Sequence, residues 1–396
     1  MDKLFEKYFR KIDQVQLLFN RYLHTQIDWS NRLIGIKGAR GAGKTTMLLQ
    51  YAKKHLPSGN QTLYVSLDDL FFTQNNLTGF ADDFAKQGGK HLLLDEVHRY
   101  PNWSVEIKNI FDDHPGLQVI FTGSSILQLH NAKGDLSRRA VMYELTGLSF
   151  REYINLITGL TLQPIQISDL ILHHNEFARE VIKAVRPLEH FKEYLTTGYY
   201  PYFLENKPSY VQKLAETVDL AMNTDLPANS EISYASIEKL KQLLYILAQS
   251  VPFQPNVSKL AERIGVSRNT LVHFFKYLED LRIIKRVFAS THGIGLLQKP
   301  DKILMHHPNL QFALADLDAN IGSSRESFFV NQAGYKNDVY YTKQGDFLVN
   351  GYTYEIGGRN KNYRQIQDVA DAYIVADDLE IGINNRLPLW TFGFLY

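Results

Sequence analysis

Five short apolar runs punctuate the first third of the chain, at residues 33–36, 62–67, 91–94, 117–121 and 141–145. Between them, apolar residues recur every three or four positions. A short run that stays apolar, rather than alternating with polar residues, predicts a strand buried on both faces, and the intervening spacing predicts helices. Strand and helix in alternation predict a parallel sheet covered on both sides. Ahead of the first run, Leu4, Phe5, Phe9, Ile12, Val15, Leu17, Leu18 and Tyr22 keep helical spacing and predict helix across residues 1–32. Residues 150–235 are expected to be mainly helical. Ile237, Leu240, Leu243, Leu244 and Leu247 then mark one amphipathic helix, and Val257, Leu260, Ala261 and Ile264 a short second one that stops at Gly265. Ser267 is a good N-cap for a third, with Leu271, Phe274, Phe275 and Leu278 on its buried side. Residues 283–287 follow as a strand. Near the end, residues 346–349 and 352–355 flank Asn350-Gly351, a strong two-residue hairpin signal.

The ends of the apolar runs carry the chemistry. The first is followed by Gly38-Ala39-Arg40-Gly41-Ala42-Gly43-Lys44-Thr45, a G-x-x-x-x-G-K-[ST] pattern between a strand and a helix. Glycines there let backbone N–H groups close around an anion at the positive end of the helix. Gly38, Ala39, Arg40, Gly41, Ala42, Gly43, Lys44, Thr45 and Thr46 are therefore the expected nucleotide-binding residues, with Lys44 on the terminal phosphates and the Thr45 hydroxyl on Mg²⁺. The third run ends in Asp95-Glu96, which predicts Asp95 as a second Mg²⁺ holder and Glu96 as the base that polarises water. The fourth ends in Thr122-Gly123-Ser124-Ser125, where Thr122 or Ser124 would sense the γ-phosphate. Arg138 and Arg139 precede the fifth run, and either would stabilise transferring charge on its own site or on a neighbouring subunit. Ligands in such sheets sit at the carboxyl ends of the strands, where Gly38, Asp95 and Thr122 are all expected.

Composition narrows the setting. The chain has 396 residues, 44% hydrophobic and 21% charged, with a formal net charge of +1. That length predicts two to three domains, and that charge offers no whole-chain attraction to nucleic acid or an anionic membrane. There is no cysteine, which excludes disulfides and thiolate metal sites and fits a reducing cytoplasm. The charged N-terminal residues do not suit a signal peptide, and no stretch is long and apolar enough to span a membrane.

The glycine-rich loop, Leu94-Asp95-Glu96-Val97 with Trp103 after it, Thr122-Gly123-Ser124-Ser125, and Ser137-Arg138-Arg139 ahead of Leu148-Ser149-Phe150-Arg151-Glu152-Tyr153 resemble a prokaryotic AAA+ (P-loop) ATPase family. Its members carry a winged helix and a restriction-endonuclease-like domain after the ATPase. The resemblance implies an α/β P-loop NTPase with a parallel sheet (residues 1–150), a helical lid (151–235), a winged helix-turn-helix (236–300) and a small α+β restriction-endonuclease-like domain (301–396). It implies ATP or ADP with Mg²⁺ as cofactors and ATP hydrolysis driving a conformational switch. The alternatives are a nucleotide-clamped DNA- or protein-docking regulator with little turnover, and an ATP-gated nuclease. Oligomeric state is left open.

Two further constellations bear on partners. The third helix of the 236–290 segment would turn Arg268, Asn269, His273 and Lys276 outward in a locally basic stretch, suited to duplex DNA or to a protein partner. Counting outward from the Asn350-Gly351 turn places Asp346 opposite Glu355, and like charges so paired repel unless a cation lies between them. Restriction-endonuclease-like sites hold a metal with such a pair and place a lysine two residues past the Glu. Here that position is Gly357; Arg359 or Lys361 would have to substitute, and Glu326 would be the third acid. The missing lysine favours a degenerate, binding or structural version of that domain over an active nuclease. His173-His174 lack partners at helical ligand spacing and are read as a solvated pair, and His306-His307 is read as a strand end with no ligand role.

Overall fold

The apolar runs become a five-stranded sheet because each can bury both faces. The computed structural model describes residues 1–123, 136–227, 232–250, 256–290, 299–315 and 321–396. These fall into two units, Met1–Gly147 and Leu148–Tyr396. In the first, strands β1 (Leu33–Lys37), β2 (Thr62–Ser66), β3 (His91–Asp95), β4 (Gln118–Gly123) and β5 (Val141–Glu144) form one sheet in the order β2-β3-β4-β1-β5, all neighbours parallel. The connecting helices are α2 (Lys44–His55), α3 (Leu77–Lys86) and α4 (Trp103–Asp113), preceded by α1 (Asp2–Gln14). Ile34, Ile36, Leu63, Leu92, Leu93, Leu94, Val119 and Phe121 are fully buried. At about 1.5–3 kcal/mol for each large apolar side chain, this core is what holds the strand ends in place.

The expected helix over residues 1–32 is cut short at Gln14, where Val15 turns extended. Leu18, counted on its apolar face, is 93% exposed. The backbone beyond the helix is instead satisfied by side chains: Gln50 donates to the carbonyls of Gln16 and Phe19, at 2.8 and 2.9 Å, and Lys53 donates to Val15 at 2.9 Å. Carbonyls that find such donors need no intrahelical partner, so tertiary bonds override the local spacing.

The second unit begins with α5 (Phe150–Thr158), α6 (Ile167–Ala184), α7 (Pro187–Thr197) and α8 (Tyr210–Leu220). It continues through α9 (Tyr234–Ser250), α10 (Val257–Ile264), α11 (Arg268–Asp280), β6 (Ile284–Val287), β7 (Lys302–Met305), α12 (Pro308–Leu314) and α13 (Ile321–Ala333). A mixed sheet follows in the order β12-β11-β10-β9-β8, built from β8 (Val339–Tyr341), β9 (Phe347–Val349), β10 (Tyr352–Gly357), β11 (Ala372–Ala376) and β12 (Arg386–Pro388). The β8-β9-β10 ladder is antiparallel and β10-β11-β12 is parallel.

The helices expected to form a lid belong to this unit and pack on its C-terminal segment. Ser149 caps α5 in a reciprocal capping box with Glu152. The Ser149 hydroxyl and the Arg151 guanidinium both donate to the Tyr396 carbonyl, at 2.9 and 2.8 Å. Phe150 packs among Phe191, Tyr194 and Phe394. Asn309 is fully buried and joins three helices: its amide donates to the carbonyls of Tyr194 and Leu195, and its side-chain oxygen accepts from Tyr210 at 2.6 Å. The β6-β7 ladder joins residues on both sides of position 300. Among the described residues, no helix is long and apolar enough to cross a membrane.

Candidate functional site

The turn after β1 needs its glycines for two separate reasons. Gly41 and Gly43 have φ of +77° and +96°, a region that L side chains avoid. Gly38 has no such conformation to explain it; a Cβ there would lie 2.1 Å from the Leu145 carbonyl oxygen, so the backbone leaving β5 excludes any side chain. Gly43 caps the N-terminus of α2, and Lys44 and Thr45 open that helix. Buried Lys44 curls back to donate to the carbonyls of Gly38 and Ala39, at 2.9 and 3.0 Å. Arg21 braces the turn from behind, donating to the carbonyls of Ala42 at 2.6 Å, Thr146 at 2.9 Å and Gly147 at 2.8 Å. Arg21 stood outside every sequence pattern.

Asp95 is the hub. It ends β3, in register with Ser66 of β2, and is almost fully buried. Its Oδ2 accepts from the Thr45 hydroxyl at 2.6 Å and from the Tyr64 hydroxyl at 2.7 Å; its Oδ1 accepts from the Thr122 hydroxyl and from the Glu96 backbone N–H. The structure thus brings Thr45, Asp95 and Thr122 together and adds Tyr64, which no sequence motif indicated. Tyr64 lies in the middle of the second strand, between Leu63 and Val65. Burial, and then the charge of Asp95, push the Tyr64 phenol far up, so it stays a proton donor. Lys11 of α1 lies over the Tyr64 ring, 4.9 Å from its centre.

Glu96 sits in the left-handed region at φ +53°, unusual for a residue with a side chain. Its carboxylate lies 3.4 Å from Nε2 of the buried His98. Burial raises the Glu96 pKa; Lys44 and Arg40 oppose the rise, and Asp95 and Asp68 add to it. A carboxyl moved toward neutrality in this way suits proton abstraction better than an ordinary glutamate.

The remaining candidates separate. Arg139 is held by Asp112 of α4 through Nε at 2.8 Å and Nη2 at 2.9 Å, whereas Arg138 is exposed. Ser124 lies outside the described residues. In the second unit, Arg268, Asn269, His273 and Lys276 are all exposed on α11, which Ser267 caps. Arg286, which follows α11 on β6, pairs with Glu279 at 2.7 Å.

The hairpin has the register counted from its turn, with Tyr352 opposite Val349 and Tyr354 opposite Phe347. Asp346 precedes the ladder, accepting from the Ile356 N–H at 2.9 Å. Around it gather Glu355 of β10, Glu326 of α13, and a residue absent from the sequence reading: Lys302, the first residue of β7. The Lys302 ammonium touches Glu326 and lies 3.2 Å from Asp346, while Lys361 pairs with Glu355. Arg359 is not in this cluster; its carbonyl accepts from Arg386 at 2.7 Å. Burial pushes Glu326 up to about 7, against the pull of Lys302. Burial, then Asp346, raises Glu355. Burial works against the Lys302 ammonium, but Glu326 and Asp346 outweigh it and raise its pKa. Among the described residues, no group of three or more His, Asp or Glu side chains is arranged to hold a metal ion. His307 is buried and His306 half-buried, and desolvation holds both pKa values well below the usual range; Tyr199 stacks on His307 at 3.9 Å. His174 lies 3.1 Å from the Asn384 carbonyl.

Comparison with known proteins agrees with the geometry of the first unit. Residues 30–154 match the family model described as an AAA domain, and residues 188–320 match a domain of unknown function, DUF8612. A similar curated protein is the uncharacterized protein MJ1637 of Methanocaldococcus jannaschii, 26% identical over 406 residues, covering 92% of this chain and 84% of its own. Among solved structures, a Walker-type ATPase of Pyrococcus abyssi aligns with a TM-score of 0.40 and 12% identity, covering 75% of this chain and 95% of that one. AMPPCP-bound DnaA from Aquifex aeolicus aligns with a TM-score of 0.25 and 15% identity, over 69% and 86%. The family match over residues 30–154, the all-parallel sheet and the glycine-rich turn before α2 agree: the N-terminal part of this chain is similar to an AAA-type P-loop ATPase domain.

Proposed function

We propose that the protein binds ATP with Mg²⁺ at the turn after β1 and hydrolyses it, and that the nucleotide state switches the C-terminal half between conformations. The observation that carries this reading is the convergence of Thr45, Tyr64 and Thr122 on Asp95, next to Lys44 at the mouth of the glycine-rich turn. The N–H groups of residues 38–46 and the N-terminus of α2 would hold phosphate oxygens. Thr45 and Asp95 would hold magnesium, whose charge would offset that of the phosphates. Lys44 would exchange its two carbonyl partners for phosphate oxygens, a stronger, charge-assisted contact. Glu96, held in a strained backbone and raised in pKa, would take the proton from the attacking water. Thr122 would link Asp95 to the γ-phosphate end of the site. Arg138, exposed ahead of β5, is better placed than Arg139 to act on a neighbouring subunit, because Arg139 is already engaged by Asp112.

Thermal unfolding with Mg²⁺ and ATP tests the binding half of the proposal. A ligand at about 100 times its dissociation constant adds about 2.7 kcal/mol, and Lys44→Ala should abolish most of that gain. Steady-state phosphate release tests the other half. Nucleotide stabilisation without release would favour the second reading, a nucleotide-clamped docking module.

For the C-terminal half, the reading is a winged helix formed by α10, α11 and the β6-β7 ladder, followed by a degenerate restriction-endonuclease-like domain. The left-handed Gly265 between α10 and the capped α11, with Arg268, Asn269, His273 and Lys276 exposed, supports duplex contact by α11. Such binding would weaken steeply with salt, and replacing Arg268 and Lys276 together should flatten that dependence by roughly two phosphate contacts. Salt-independent binding, or none at low salt, would leave protein docking as the role of α11.

A further inference from the structure

We infer that Lys302 occupies the position of a cation in the carboxylate cluster of the second unit, so that the cluster is an internal ion-pair lock and not a metal centre. Sites of the restriction-endonuclease-like kind imply a metal between an Asp and a Glu on adjacent strands. The side chains present here do not fit one. An ammonium group, not an open face, lies against both Glu326 and Asp346. The second oxygen of Asp346 is taken by the Ile356 N–H. One Glu355 oxygen is taken by Lys361; the other is buried with no hydrogen-bond partner among the described residues. Lys302 is itself buried, with its ammonium 4.8 Å from the centre of the Phe347 ring, so it is a fixture of the site and not a surface lysine that swings across it.

The arrangement is compensated to within one charge. Glu326, Asp346 and Glu355 bring three carboxyl groups, and Lys302 and Lys361 bring two ammonium groups. A divalent ion added to that set would meet the Lys302 charge at contact distance, and repulsion at that range in a buried site is costly. Two ammonium groups supply the cations that neighbouring carboxyl groups require, Lys302 beside Glu326 and Asp346 and Lys361 beside Glu355. The Lys302 ammonium also ties three pieces of chain together: Lys302 starts β7, the partner of β6, while Glu326 lies on α13 and Asp346 leads into β9. The cluster is thereby a strut between the helix-turn-helix segment and the C-terminal sheet. The sequence hid this because the lysine comes 44 residues before the aspartate it contacts.

Mn²⁺ titration of the full, nucleotide-free chain, with free metal followed by electron paramagnetic resonance, tests the assignment. In the native protein, Asp346→Asn should leave the Mn²⁺ isotherm unchanged. Lys302→Met removes the ammonium and keeps the aliphatic volume; it should add one Mn²⁺ equivalent that the native chain does not bind. That added equivalent should vanish in Lys302→Met/Asp346→Asn. Should Lys302→Met not fold alone, millimolar Mn²⁺ should restore its native circular dichroism, and Lys302→Arg should fold without metal. Two results overturn the inference: Mn²⁺ binding by the native chain that Asp346→Asn abolishes, which would place a metal beside the lysine, or a Lys302→Met chain that gains no Mn²⁺ site when folded and no fold when supplied with Mn²⁺.

Discussion

Asp95 in the first unit and Asp346 in the second are both aspartates at strand ends, both within reach of other acids, and their surroundings differ in one respect. Asp95 accepts from the hydroxyls of Thr45, Tyr64 and Thr122, all neutral. Asp346 and its neighbour Glu326 face an ammonium. Neutral donors orient a carboxylate without cancelling its charge, so Asp95 keeps its full attraction for a cation. An ammonium both orients and neutralises, and it leaves nothing for a second cation to gain. The same residue type, at the same kind of place in a sheet, is held ready in one unit and closed in the other.

Several substitutions would break or sharpen that contrast. The largest effect is expected from Glu96→Gln, which keeps the shape of the open site and removes the proposed base: phosphate release should fall about 10²–10⁴-fold while ATP still stabilises the chain. Unchanged turnover would show that Glu96 is not the base. Next is Lys302→Met. Removing one partner of a buried ion pair costs about 3–5 kcal/mol, so chemical denaturation of the second unit should shift by that amount in the absence of metal. Asp95→Asn should cost the first unit far less, since its partners are neutral hydroxyls and the amide oxygen still accepts. Equal losses at the two sites would erase the distinction between them.

Tyr64→Phe should be milder still, about 1 kcal/mol for one hydrogen bond, with a higher Mg²⁺ requirement for turnover as Asp95 loses one of its orienting donors. The last effect is one of slope. The folded-state pKa of Glu326 is raised from 4.5 to about 7, so the native chain keeps a proton there that the unfolded chain releases. Its contribution to stability is therefore fully present below about pH 4.5 and lost as pH rises through about 7. Glu326→Gln should flatten the denaturation midpoint of the second unit across that window. An unaltered slope would place the titration elsewhere.

The open site was largely legible in sequence and the closed one only in part, for reasons that lie in how far apart the partners are along the chain. The turn after β1 draws Gly38 to Thr45 from eight consecutive positions, and Asp95 and Glu96 are adjacent at a strand end. The hairpin register from Tyr352–Val349 to Tyr354–Phe347 was countable because Asn350 and Gly351 take φ of +51° and +85°, the geometry of a tight two-residue turn. Tyr64 and Arg21 escaped notice because an isolated tyrosine or arginine has no periodicity, and only the sheet places one against Asp95 and the other behind the glycine-rich turn. The helical spacing of residues 15–22 misled, since Gln50 and Lys53 bind carbonyls that a helix would otherwise use.

What the sequence by itself determined is whatever depends on neighbours along the chain: the buried strands, the glycine-rich turn, the capped helix α11 and the hairpin register. What only the tertiary structure decided is which charges meet. Local pattern sets the backbone, because hydrogen bonding and side-chain periodicity act over a few residues. Charge compensation acts through space, and the ammonium that closes the second cluster arrives on a strand that no local rule connects to it.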